Sequence, residues 1–192
     1  MIQENPELFE LSMSEKTQPL MDLVKHHCEE NVKPIQAEYS ALQKEKEDRW
    51  SWHPRQIELM EGAKEKAREL GLWNFFLPDP DGNIGDGLTN LDYTYVATEI
   101  GKYPLASESM NCSAPDTGNM EVLERVGTED QKKQWLEPLL NGEIRSAYAM
   151  TEPNLASSDA KNISTSAVLD GDEWVINGCL LYTSDAADEK YR

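Results

Sequence analysis

Thr165-Ser166-Ala167-Val168-Leu169-Asp170-Gly171-Asp172-Glu173-Trp174-Val175-Ile176-Asn177-Gly178 is where this chain changes its grammar. Two short β-branched or aromatic runs, residues 165–169 and 173–176, flank Asp170-Gly171, which reads as a hairpin turn, and Asn177-Gly178 reads as a second. Residues 146–150 read as an earlier strand of the same kind. Three strands of an antiparallel meander cover too little apolar surface to stand well alone. The reading is of a β-domain that has only begun.

Upstream the pattern is helical. From Leu20, apolar residues recur at Leu23/Val24, Cys28, Val32, Ile35, Tyr39 and Leu42, the spacing of one helix face, with Pro34 predicting a kink or two abutting helices. Pro54 suits a first helical position, and the helix behind it carries Ile57, Met60, Ala63, Ala67 and Leu70 before Gly71 stops it. Residues 72–88, rich in Pro, Gly and Asp, read as a loop. Thr89 or Asn90 caps a helix through Leu91, Tyr95 and Glu99. Another spans roughly residues 116–126, and Thr128-Glu129-Asp130-Gln131 has capping-box spacing before Trp135, Leu136, Leu139 and Leu140. The predicted core is Leu23, Ile35, Met60, Leu70, Leu91, Tyr95, Leu123, Trp135 and Leu139. An α-domain followed by a β-domain makes the fold class α+β.

Composition narrows the function. In 192 residues, 36 Asp and Glu face 18 Lys and Arg, a formal charge of −18. That balance argues against a nucleic-acid partner, whose phosphates reward clustered cations. No window approaches the roughly 18 apolar residues of a membrane span. Met1-Ile2-Gln3-Glu4-Asn5 lacks the basic start and apolar core of a secretory signal. Cys28, Cys112 and Cys179 are odd in number and far apart, and read as buried thiols in a reducing compartment. The expectation is a soluble cytoplasmic protein, or one of the mitochondrial matrix in a eukaryote.

Ordinary catalytic signatures are sparse. His26, His27 and His53 show no metal-ligand spacing, and His26-His27 reads as half exposed and half packed; no metal site is predicted. Gly85-Asp86-Gly87 is a loop tip and no dinucleotide fingerprint follows a strand. Asp79, Asp81 and Asp86 lack the calcium-loop pattern. One segment stands apart: Tyr148-Ala149-Met150-Thr151-Glu152-Pro153-Asn154-Leu155-Ala156-Ser157-Ser158-Asp159. A strand running into a Pro turn and then small residues and hydroxyls can present backbone N–H groups to a heterocycle and a phosphate. On pattern alone, a plain strand-to-loop turn remains the favoured reading.

Thr151-Glu152-Pro153-Asn154-Leu155-Ala156-Ser157-Ser158-Asp159-Ala160 resembles the flavin-binding signature of the acyl-CoA dehydrogenases, in the branch containing family members ten and eleven and their bacterial relatives. Ala114-Pro115-Asp116-Thr117-Gly118-Asn119 through Leu123, then Gly127-Thr128-Glu129-Asp130-Gln131 through Gly142, then residues 171–178, are similar to the same branch in order and spacing. The resemblance covers nearly everything to Gly178. It implies an N-terminal all-α domain over residues 1–142, an antiparallel β-barrel-like middle domain begun over 143–178, and a C-terminal four-helix domain that is absent here. It implies FAD, an acyl-CoA substrate, an electron-transfer flavoprotein as partner, and a homo-oligomer, in fatty acid β-oxidation and lipid metabolism.

By position, the resemblance places Tyr148, Met150 and Thr151 at the flavin pyrimidine edge. Ser157 joins the cofactor-binding set, and Ser158 falls near the FAD diphosphate and the pantetheine arm of CoA, the one substrate-binding position. In the family a Glu of the C-terminal domain removes the α-proton while flavin N5 takes the β-hydrogen as hydride. No residue here is nominated as that base, and Glu152 is read as hydrogen-bonding the turn. Residues 110–119 resemble the start of the substrate-side helix, where Asn111, Asp116, Thr117 and Asn119 would suit an acyl chain bearing a hydroxyl or serve as helix caps. Residues 179–192 depart from the family, and their first eleven resemble a transposase mosaic-end sequencing adapter translated in frame. A non-native tail is the expectation; a diverged strand through residues 180–183 is the other reading. The fragment is expected to be inactive alone. Two further readings stay open, a non-catalytic helical interaction module and an acyl-CoA oxidase-type flavoenzyme.

Overall fold

The computed structural model describes residues 11–45, 48, 51–77, 88–156 and 159–180. They form two compact units that divide between Ser146 and Ala147.

In the first unit, α1 (Gln18–His27) passes into a π-helical stretch, Cys28–Val32, and then α2 (Lys33–Glu45). The sequence pattern broken at Pro34 is resolved here by widening the helix, not by ending it. A Pro ring collides with the carbonyl four residues back, and a π turn removes that carbonyl from its path. The residue before the Pro makes the exchange visible, since the Lys33 N–H reaches the Cys28 carbonyl. The same device recurs at Pro138. There α7 (Glu129–Gln131) leads through the π-helical Lys132–Leu136 into α8 (Glu137–Asn141), and the Glu137 N–H reaches the Lys132 carbonyl.

The starts at Thr89 and Thr128 follow the predicted caps, and the helix at the predicted Pro54 starts behind a cap, His53, that the sequence reading did not name. Reciprocal capping boxes open α3 (Pro54–Glu69) through His53 and Gln56, α4 (Asn90–Ile100) through Thr89 and Asp92, and α7 through Thr128 and Gln131. The short α5 (Ala106–Ser109) and α6 (Asp116–Val126) complete the unit. Gly71 adopts the left-handed φ of +72° that ends α3. The predicted loop residues 78–87, with Asp79, Asp81 and Asp86, lie outside the described residues.

The core runs through Val24, Cys28, Val32, Ala67, Leu72, Val96, Met110, Met120, Leu136 and Leu139. Of the predicted core, Met60 and Leu139 are buried, and Ile35, Leu70, Leu91 and Leu123 are half-buried. Leu23, Tyr95 and Trp135 are corrected to exposed positions, at 39%, 39% and 48%. Each has a physical reason. The α1 stripe centres on Val24 and Cys28, one residue past Leu23. In α4 the inward row is Asp92, Val96 and Ile100, which leaves Tyr95 at the margin with its hydroxyl donating to the Leu11 carbonyl. Trp135 sits in the π turn, whose larger step rotates it outward while Leu136 goes in.

In the second unit, β1 (Ser166–Asp170) pairs antiparallel with β2 (Glu173–Asn177), in the register Ser166↔Asn177 to Asp170↔Glu173. The turn residues are therefore Gly171-Asp172, one place later than predicted. Gly171 alone of the pair has positive φ (+63°), the type II′ pattern. Gly178 has no left-handed φ; a Cβ there would collide with the Thr165 side chain, so its need for glycine is steric. The predicted strand at residues 146–150 is corrected: these residues join no ladder among the described residues. Ser146 spends its N–H on the Asp116 carboxylate instead. Cys28 and Cys112 are buried as expected, whereas Cys179 is exposed. No four-helix bundle appears among the described residues, and residues 181–192 of the predicted tail lie outside them.

Candidate flavin-edge segment and the groups that hold its ends

The carboxylate of Asp116, at the start of α6, fixes where the helical unit ends. It accepts from the Ser146 N–H at 2.7 Å and the Ser146 hydroxyl at 2.6 Å, and pairs with Arg145 Nε at 2.9 Å. Asn119 adds a donor to the Ser146 hydroxyl at 2.8 Å. These bonds revise the role read for Asp116 and Asn119: both side chains are engaged in holding Ser146.

A second group caps the C-terminus of α8, whose last carbonyls have no helical partner. Trp73 Nε1 and Asn74 Nδ2 both donate to the Leu140 carbonyl, at 2.7 and 2.8 Å, and Arg68 donates to that of Asn141. The Arg68 guanidinium lies 3.7 Å over the Trp73 ring. Asn111 donates to the Leu139 carbonyl at 3.0 Å and to Asn74 Oδ1 at 2.6 Å. Asn111 is thus a buried cap, the second of the two roles read for it. The sequence reading missed Arg68, Trp73, Asn74 and Arg145, because their partners lie tens of residues away and leave no local pattern.

Thr117, of the same predicted group, lines a cavity of about 150 Å³ with Phe75, Phe76, Tyr93, Glu121 and Arg125. Burial raises the Tyr93 phenol well above its ordinary range, so it stays a neutral donor. Burial likewise pushes the Cys28 and Cys112 thiols up to about 12, which leaves both unreactive at neutral pH. No group of three or more metal-ligating side chains exists among the described residues.

In the second unit, Tyr148 is exposed, Met150 half-buried and Thr151 exposed. The next residue, Glu152, is buried and is the anchor of the segment. One of its oxygens accepts from the Ser164 N–H at 2.9 Å and hydroxyl at 2.6 Å. The other accepts from the Thr165 N–H at 2.7 Å and from the Thr165 hydroxyl. Hydroxyls and backbone N–H groups of Ser164 and Thr165 together hold its carboxyl at about 2, far below the usual range. The expectation that Glu152 hydrogen-bonds the turn is met across a longer span, since its partners lead into β1. Beside this pinned turn, Tyr148 and Thr151 are exposed and Ala149 and Met150 half-buried. Ser157 and Ser158 lie outside the described residues.

Known proteins resemble this chain, above all over its helical unit. Residues 14–143 match the family model described as acyl-CoA dehydrogenase, N-terminal domain. Acyl-CoA dehydrogenase family member 10 of Mus musculus is 46% identical over 93% of this chain and 16% of its own length. Family member 11 of Gallus gallus is 46% identical over 91% of this chain and 22% of its own length. A solved structure from Mycobacterium abscessus, described as an acyl-CoA dehydrogenase, superposes with a TM-score of 0.74 at 43% identity, covering 87% of this chain and 42% of that one. The chain therefore spans about a sixth to a fifth of these two curated relatives. With a helical unit over the matched residues and a small antiparallel sheet behind it, this chain belongs to the acyl-CoA dehydrogenase family and carries its N-terminal domain.

Proposed function

We propose that this chain supplies the helical wall and the first flavin-facing segment of an FAD-dependent acyl-CoA dehydrogenase, an oxidoreductase that desaturates an acyl-CoA thioester between its α and β carbons. The observation that carries the reading is Glu152, whose four hydrogen bonds pin the turn directly after Thr151. Tyr148, Met150 and Thr151 would hold the pyrimidine edge of FAD, with Ser157 and Ser158 serving the diphosphate and the pantetheine arm. The chemistry that FAD supplies in such a site is hydride acceptance. An electron-transfer flavoprotein would take the electrons, and the working protein would be a homo-oligomer.

Glu152 does not serve as the base. A carboxyl held at about 2 and occupied on both oxygens is too weak to take an α-proton. Without a positioned base, that contribution of ~10²-fold or more is missing. Residues 148–151 alone would leave a flavin mostly in water, where preorganised electrostatics are lost. The 192-residue chain as written is therefore expected neither to retain FAD nor to turn over. The test is to purify it, record the flavin absorption band after adding FAD, and assay an acyl-CoA panel with an artificial electron acceptor. A stoichiometric yellow protein with turnover would contradict the division of labour proposed here.

A further inference from the structure

Asn-Gly occurs twice in this chain, at Asn141-Gly142 and Asn177-Gly178, and the fold treats the two pairs oppositely. Such a pair is labile because glycine has no Cβ to keep its nitrogen away from the asparagine side chain. At the first pair the reacting groups are tied down. The Gly142 N–H donates to the Leu139 carbonyl at 3.0 Å, and the Asn141 amide donates to Glu143 Oε1 at 3.1 Å. The Asn141 carbonyl accepts from Arg68 at 3.1 Å, so both sides of the bond are held at the end of α8.

At the second pair they are loose. Asn177 and Gly178 are both exposed, and neither the Gly178 N–H nor the Asn177 side-chain amide makes a hydrogen bond among the described residues. Asn177 with Ser166 is the last pair of a two-stranded ladder, which is where such a ladder opens first. Glycine at 178 is nonetheless required. Glu152 holds both the N–H and the hydroxyl of Thr165, and a Cβ at Gly178 would collide with that fixed, β-branched side chain. The clamp that orders the turn therefore keeps an unshielded nitrogen beside Asn177.

We propose that Asn177 is a site of spontaneous deamidation, with water as the one co-reactant. When the last ladder pair opens, the Gly178 nitrogen gives its proton to solvent and attacks Asn177 Cγ. The Cγ–Nδ2 bond breaks, ammonia leaves with that proton restored from water, and a five-membered succinimide remains. Water then adds to one of its two carbonyls and opens it to aspartate or isoaspartate, with no change of oxidation state. Isoaspartate carries the main chain through the side-chain methylene, so it lengthens the end of β2 against its partner Ser166. Either product adds a negative charge to a chain already at −18. The site stands independently of the dehydrogenase reading.

Incubating the 192-residue chain at pH 8, in buffer and in parallel unfolded in urea, tests it. Samples taken over time are digested, and the peptides bearing residues 141 and 177 are resolved by mass spectrometry into asparagine, aspartate and isoaspartate forms. In urea both sites should convert at similar rates. In buffer Asn177 should convert at least about tenfold faster than Asn141, since one needs only the last ladder pair to open and the other the capped end of a packed helix. Asn177→Gln should abolish the conversion at that position, because its longer side chain closes a less favourable ring. The proposal is overturned if Asn177 stays intact in buffer over the time in which urea converts it, if Asn141 converts as fast as Asn177 in buffer, or if aspartate forms at 177 without isoaspartate.

Discussion

Asn111 Nδ2 donates to Asn74 Oδ1 across 2.6 Å, and both asparagines hold a left-handed backbone, φ 55° and 60°. They are the two non-glycine residues with positive φ among those described, both are buried, and both cap the end of α8. Asparagine tolerates this conformation better than most residues, and its amide offers a donor and an acceptor at once. Asn111→Asp removes the donor and sets a buried carboxylate against the Asn74 oxygen and the Leu139 carbonyl. We expect it to cost about 3 kcal/mol, whereas Asn111→Gly, which relaxes the backbone but loses the bonds, should cost about 1–2 kcal/mol. Urea unfolding of the two variants checks the order; equal stabilities would contradict the pairing.

His27 should make the helical unit sensitive to acid. Ser109 gives its hydroxyl proton to the Ala106 carbonyl at 2.8 Å, so it accepts from His27 Nε2–H at 2.9 Å. That puts a proton on Nε2, and Nδ1, 3.4 Å from the Asn31 amide nitrogen, is left to accept, as in a neutral ring. Burial, then the charge of His26, lower it from 6.5 to about 4. The unfolded chain therefore binds the proton more readily. This contribution to stability is complete above pH 6.5 and falls as pH drops toward 4, by about 3 kcal/mol at most. Chemical denaturation across that range should show the slope, and His27→Leu should flatten it.

For Glu152 the sign is that of a depressed acid. Its contribution is complete above 4.5, its ordinary value, and is lost as pH falls toward 2. Glu152→Gln places an amide where two donors now point, so Ser164 and Thr165 should lose protection from hydrogen exchange at pH 6. Unchanged exchange at those two amides would show that the turn is held by something else.

Helix starts were legible because their signals are local: Pro54 at a first helical position, and Thr89 and Thr128, which each precede their box partner by three residues. Faces were less so. The π turns before Pro34 and Pro138 change the step of the helix, and a fixed period carried across them misplaces Trp135. Residues 146–150 have a strand's composition, yet a strand exists only where a partner edge does. The flavin-edge segment was visible as a motif, but its anchors were not. Ser164 and Thr165 lie 12 and 13 residues beyond Glu152, and Asp116 lies 30 before Ser146. Ordinary Ser, Thr and Asp residues at such separations announce nothing in sequence.

The most direct test of the account joins residues 1–178 of this chain to the part of the Mycobacterium abscessus protein that follows its matching segment, then measures bound flavin by its visible absorption. The account predicts a yellow, folded protein that reduces an artificial acceptor with acyl-CoA and loses flavin affinity on Thr151→Ala. A folded chimera with a native helical signature that binds no FAD, or binds it equally well with Thr151→Ala, would contradict it.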